Sequence, residues 1–174
     1  MNEKERISAI EVALNNEVRE REFYHKNARR TKNPLGKKMF QKIGDEELEH
    51  YQRLKQLHET WEKQEKWPGT VPLKVNNTVV KDVLKEFLKK EDAKEEGDTD
   101  DLNAVRTAIE FEAKGAKYYA DLRDAVSDPK ERDFFDLLAK IENEHYLSLK
   151  DTEEYFIDPQ SWFRKAEHHS LDGG

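Results

Sequence analysis

The chain states one pattern twice. Glu17 followed by Glu47-Leu48-Glu49-His50 recurs as Glu112 followed by Glu142-Asn143-Glu144-His145, at a constant shift of 95 residues. In both halves the lone glutamate precedes the Glu-x-x-His by 30 residues. Apolar positions follow the same shift: Ala13 matches Ala108, Phe23-Tyr24 matches Tyr118-Tyr119, Phe40 matches Phe135 and Leu54 matches Leu149. A fixed period with matching apolar positions marks a duplicated structural unit. The fold must therefore hold two similar halves, and the spacing within each half is that of a helical hairpin.

From about Glu3 to Ala28, the positions Ile7, Ile10, Leu14, Glu17, Arg21, Tyr24 and Ala28 step by threes and fours, which is one face of a helix. Phe40, Ile43, Glu47, His50, Leu54, Leu57 and Trp61 do the same from about Leu35 to Lys66. The second half repeats this with Leu102, Val105, Ile109, Glu112, Ala116 and Tyr119, from about Asp101 to Val126. Phe135, Leu138, Glu142, His145 and Leu149 follow, from about Pro129 to Phe156. Thr31 to Pro34 and Ser127 to Lys130 supply the turns. Trp67-Pro68-Gly69 closes the first hairpin and Asp158-Pro159 stops the second. The connector carries a short predicted helix from Val79 to Lys90, capped by Asn77, and then an exposed charged stretch from Glu91 to Asp101.

The expectation is an all-α fold and one domain over residues 1–174, a four-helix bundle of two hairpins (3–66 and 102–156). A long crossover, 67–101, leaves the second and third long helices parallel. The tail, 157–174, is pinned to the bundle by Trp162 and Phe163.

The glutamates fall inside the apolar stripes. Antiparallel helices set residues at equal depth when they are equidistant from the turn. The midpoint of 17 and 47 is residue 32, and that of 112 and 142 is residue 127, both inside turns. At 1.5 Å per residue the shared level lies roughly 22 Å from each turn, in mid-bundle. Burying an ion costs several kcal/mol, and four carboxylates in one layer repel and partly protonate. Two divalent cations cancel four negative charges, and two imidazoles complete the shells. Glu17, Glu47, His50, Glu112, Glu142 and His145 are thus the predicted ligands of a dinuclear metal centre. Hard carboxylates with one nitrogen per metal suit two iron ions, and manganese or zinc is also compatible. Glu47 and Glu142 are expected to bridge, with Glu17 and His50 completing one ion's shell and Glu112 and His145 the other's. Tyr24 and Tyr119 lie two turns beyond the lone glutamates; they are either core aromatics or donors to a ligand carboxylate that can relay an electron.

A lone Glu-x-x-His has little weight in a chain so rich in glutamate. Glu22-Phe-Tyr-His25 has the spacing but lies off the stripe and has no repeat copy, so it reads as surface. His168-His169 reads as solvated tail. The chain has no cysteine, which excludes disulfides, thiolate metal sites and iron–sulfur clusters. A net charge of −7 argues against nucleic acid as a partner. The N-terminal residues are charged and no long apolar segment follows, so neither a signal peptide nor a membrane partner is expected, and the cytoplasm is the default compartment.

With Glu17, Glu47-x-x-His50, Glu112 and Glu142-x-x-His145 in place, the chain resembles the ferritin-like superfamily, nearest the rubrerythrin-type diiron proteins. Ala108-Ile-Glu-Phe-Glu112 and Lys117-Tyr-Tyr119 look like the same family. The resemblance implies oxidation of Fe(II) by peroxide or dioxygen, often for peroxide removal and hence in oxidative stress. It also implies an extra glutamate one turn after Glu112. Gly115 stands there, while Glu20 holds the mirrored position after Glu17 and is a candidate extra ligand. Full-length rubrerythrins carry a cysteine-rich rubredoxin domain; without cysteine, this chain needs an external electron-donor protein. A homodimer is compatible with such a bundle.

Three functions fit these features. The first is a diiron oxidoreductase reducing peroxide or dioxygen. The second is an iron-binding or storage protein, either free or carried inside a shell, since Ser170 to Gly174 resembles an encapsulation peptide. The third is a non-enzymatic helical module with a vestigial site. The tail does not look like a ferritin fifth helix, which favours the first.

Overall fold

In the computed structural model the described residues are 3–64, 75–88 and 97–164. Four long helices, α1 (Glu3–Arg30), α2 (Pro34–Gln64), α4 (Thr99–Ala125) and α5 (Pro129–Ile157), flank a short one, α3 (Val80–Leu88). Helical turns resume at 159–164. The family of folds is the expected one, an all-α ferritin-like bundle with its crossover helix.

Local chemistry sets the boundaries. Pro34 is the first residue of α2, where a proline loses no hydrogen bond. Asn33 caps that helix, its Oδ1 accepting the Gly36 N–H at 3.0 Å. Asp128 does the same for α5, accepting from Lys130 and Glu131 ahead of Pro129. Asp158 ends α5 and then caps the next turn, accepting the Ser161 N–H at 2.8 Å. Trp162 and Phe163 in that turn pack edge-on against Tyr155, which pins the segment as expected.

Three readings of the connector need correction or fall outside the described residues. Asn77 does not cap α3: the hydroxyl of Thr78 accepts the Val80 N–H at 3.1 Å, one residue later than expected. Asp101 is not exposed. It is buried inside the first turn of α4, because Arg30 at the end of α1 donates to it at 2.7 Å. Each charge sits at the helix end whose dipole it complements. Residues 67–69, 91–96, His168, His169 and 170–174 lie outside the described residues, as does the side chain of Trp61.

Helix α1 packs along α2 and α4 along α5, while α1 touches α4 and α2 touches α5. Two buried apolar clusters fill the bundle. One holds Tyr24, Leu35, Phe40, Val105 and Leu149; the other holds Ile10, Leu54, Tyr119, Phe135 and Leu138. The starts of α2 and α4 both border the first cluster, so these two helices run parallel and the crossover must traverse the bundle. It does so over the α2/α5 seam, where α3 contacts both helices. The opposite seam, between α1 and α4, holds a cavity of about 290 Å³. No helix among the described residues is long and apolar enough to cross a membrane.

Candidate metal centre

Between the two apolar clusters lies one polar layer. Glu17, Glu47, His50, Glu112, Glu142 and His145 are each at most 2 % exposed. Each of the four long helices supplies its share. Glu17 comes from α1 and Glu112 from α4, while the i, i+3 spacing puts Glu47 with His50, and Glu142 with His145, on one face of α2 and α5.

The six side chains form two overlapping groups, Glu17–Glu47–His50–Glu142 and Glu47–Glu112–Glu142–His145. Within each group the donor atoms lie within 4.8 Å of one another, and Glu47 and Glu142 belong to both. Nδ1 of His50 is 2.9 Å from Glu47 Oε2, 3.3 Å from Glu142 Oε1 and 3.4 Å from Glu17 Oε2. Nδ1 of His145 is 3.3 Å from Glu112 Oε2 and 3.4 Å from Glu47 Oε1. The imidazole rings face each other with centroids 6.1 Å apart.

Much of this layer is left without hydrogen bonds. Glu17 Oε2, Glu47 Oε1, Glu112 Oε2, both oxygens of Glu142 and His145 Nδ1 are buried and unpartnered. Buried polar atoms are almost always satisfied, so a converging set of orphaned oxygens with an imidazole nitrogen fits cations better than any internal bonding scheme. The cluster could hold metal ions, and its donors suit iron.

Without metal, protons partly take the cations' place. Burial, then the neighbouring Glu47, raises Glu17 well above the ordinary carboxylate range. Burial, then Glu142, does the same for Glu112. Burial would also raise Glu47, but His50 and His145 outweigh it and hold that carboxyl low. Burial opposes the charged imidazoles, yet the carboxylates around them, Glu47 beside His50 and Glu112 beside His145, raise both.

The tyrosines reach across the bundle. The Tyr24 hydroxyl donates to Glu112 and the Tyr119 hydroxyl to Glu17, so each half supplies a phenol to the other half's lone glutamate. Burial, then the carboxylate each one faces, raises both phenols and keeps them protonated as donors.

Glu20 belongs to neither group. It lines the α1/α4 cavity with Gly115, Arg19 and Lys114. Burial, then Glu47, lifts it to about 11, which keeps it a neutral acid. Gly115 also faces the cluster: a Cβ placed there would meet Glu142 Oε2 at 3.3 Å. His25 is partly buried rather than on the open surface, 3.8 Å from Asp45, and is in neither group.

One further residue escaped sequence reasoning. Glu46 Oε2 accepts a hydrogen bond from His145 Nε2 at 2.7 Å. Burial works against its charge, but the bond from His145 prevails and lowers it to about 2. A carboxylate that stays ionised only accepts, so Nε2 carries a proton and Nδ1 is the nitrogen turned toward the cluster.

A family model described as Rubrerythrin matches residues 8–153. Neither curated proteins nor solved structures yield a match.

Proposed function

The chain belongs to the rubrerythrin family, and from that premise we propose that it is a diiron oxidoreductase that reduces peroxide or dioxygen. The observation that carries this reading is the pair of overlapping four-residue groups sharing Glu47 and Glu142. Glu17 and His50 would complete one iron's shell and Glu112 and His145 the other's. When bound, two Fe(II) ions supply the two electrons that take hydrogen peroxide to water.

The remaining work falls to the chain's own residues. The apolar clusters on both sides keep bulk water from the polar layer. Tyr24 and Tyr119 hold a proton against Glu112 and Glu17, which fixes those carboxylates. The crossover covers the α2/α5 seam, so a small oxidant enters through the α1/α4 cavity. That cavity ends at Gly115 and Glu20, whose carboxyl lines the approach to the cluster. Reducing equivalents would come from an electron donor outside these residues, which contain no cysteine.

Gly115 makes the reading testable. Glycine in mid-helix costs about 1 kcal/mol relative to alanine. Here it leaves the approach to Glu142 open. Protein loaded anaerobically with Fe(II) should be oxidised by hydrogen peroxide at about one peroxide per two irons. Gly115→Ala should melt no lower than wild type when metal-free, yet react about tenfold more slowly. Stopped-flow absorbance with a parallel melting curve measures both. Loaded protein indifferent to both peroxide and dioxygen would remove the oxidoreductase reading, whereas uptake of many iron atoms per chain would favour iron storage.

A further inference from the structure

Among the described residues, the hydrogen bond from His145 to Glu46 has no counterpart in the other half of the molecule. The residue 95 positions after Glu46 is Ile141, a buried side chain with nothing to accept a proton. We infer that Glu46 is a positioning residue that fixes the ring of His145 with Nδ1 toward the carboxylates, and that it makes the His145 subsite the tighter of two unequal metal subsites. The inference rests on the dinuclear reading proposed above.

Glu46 is well placed for this. It is 12 % exposed, and its Oε2 takes the His145 Nε2–H at 2.7 Å. Its other oxygen, Oε1, accepts the Val79 N–H at 3.2 Å and lies 3.4 Å from Lys42 Nζ. The carboxylate is thus clamped between a lysine one turn earlier on α2 and the backbone at the start of α3. Its negative charge also suits the positive end of that helix. The ring it holds is free at the other nitrogen, since His145 Nδ1 is buried and unpartnered. A carboxylate on the remote nitrogen of a ligand imidazole fixes its tautomer and raises its basicity, and losing such a partner typically costs about 10–100-fold in metal affinity. His50 has no carboxylate in the corresponding place, and its Nδ1 lies 2.9 Å from Glu47 Oε2 within the cluster itself. A chain whose ligands are duplicated therefore departs from symmetry at the residue behind one of them.

The experiment is a Co(II) titration followed by visible absorption, on wild type, Glu46→Leu and Glu46→Gln. Wild type should bind two ions with separable affinities. Glu46→Leu should weaken one of them by about 10–100-fold and leave the other unchanged. Glu46→Gln keeps an acceptor oxygen and should retain most of the affinity. In Zn(II)-loaded protein, proton–nitrogen NMR should show a slowly exchanging His145 Nε2–H in wild type and Glu46→Gln, absent from Glu46→Leu. A wild type that binds no Co(II) would remove the dinuclear reading itself. Two ions bound as tightly by Glu46→Leu as by wild type would overturn the role of Glu46 while leaving that reading intact. Should the leucine variant not fold, the wild-type signal still decides: a His145 Nε2–H exchanging as fast as a solvated ring overturns the inference.

Discussion

Stripping the metals from the loaded protein should lower its melting temperature by about 10 °C, and the loss should grow as the pH rises. A ligand present at a thousand times its dissociation constant adds about 4 kcal/mol of stability. In a chain of this size each kcal/mol moves the melting point by about 2–4 °C. The pH dependence follows from what replaces the metals. Glu17 and Glu112, raised above the usual value of 4.5, contribute fully only when protonated, and that contribution fades as pH climbs through their folded values. His50 and His145, raised above 6.5, contribute below that value and lose their contribution as pH rises through the folded ones. Glu47, which is depressed, acts the other way: its contribution is present above 4.5 and lost only in strong acid. Near neutrality the metal-free protein therefore weakens with rising pH. The loaded protein does not, because metal binding displaces those protons. The two forms should separate by about 1.4 kcal/mol per pH unit for each proton displaced. Differential scanning calorimetry at about pH 6 and about pH 8 measures the gap; equal melting points with and without metal would refute a shared buried centre.

The second large effect concerns ligand sharing. Glu47 and Glu142 belong to both groups, whereas Glu17 and Glu112 each belong to one. Glu47→Leu should abolish tight binding of both ions, and Glu17→Leu should spare the Glu112–His145 subsite. Glu47→Leu also leaves the buried imidazoles of His50 and His145 without their charged partner, so that variant should melt below the metal-free wild type. Metal analysis after dialysis separates the cases. Equal losses in the two variants would mean that the carboxylates are not shared as their positions suggest.

The bundle was legible because the same constraint is written twice. Ligand spacing, stripe and turn midpoints all agree in both halves, and agreement across levels is what specifies a fold. Part of what remained hidden lacks a second copy. Glu46 has Ile141 as its repeat partner, so periodicity cannot single it out from the other glutamates of α2. The burial of Asp101 depends on Arg30, 71 residues earlier, a tertiary pairing that overrides the local charge pattern. The exchange of tyrosines between halves is set by how α1 and α4 pack, which one helix stripe does not encode. At α3, Asn77 and Thr78 are both good caps by type, and the docking of Val79 on Glu46 decides between their positions.

The most direct measurement is an anaerobic Fe(II) titration of metal-free protein that counts tight sites per chain. Two sites, separable in affinity, are the expected result, because two groups of donors share Glu47 and Glu142 in one buried layer. A single site would mean that one half no longer ligates, and none would contradict a dinuclear centre altogether.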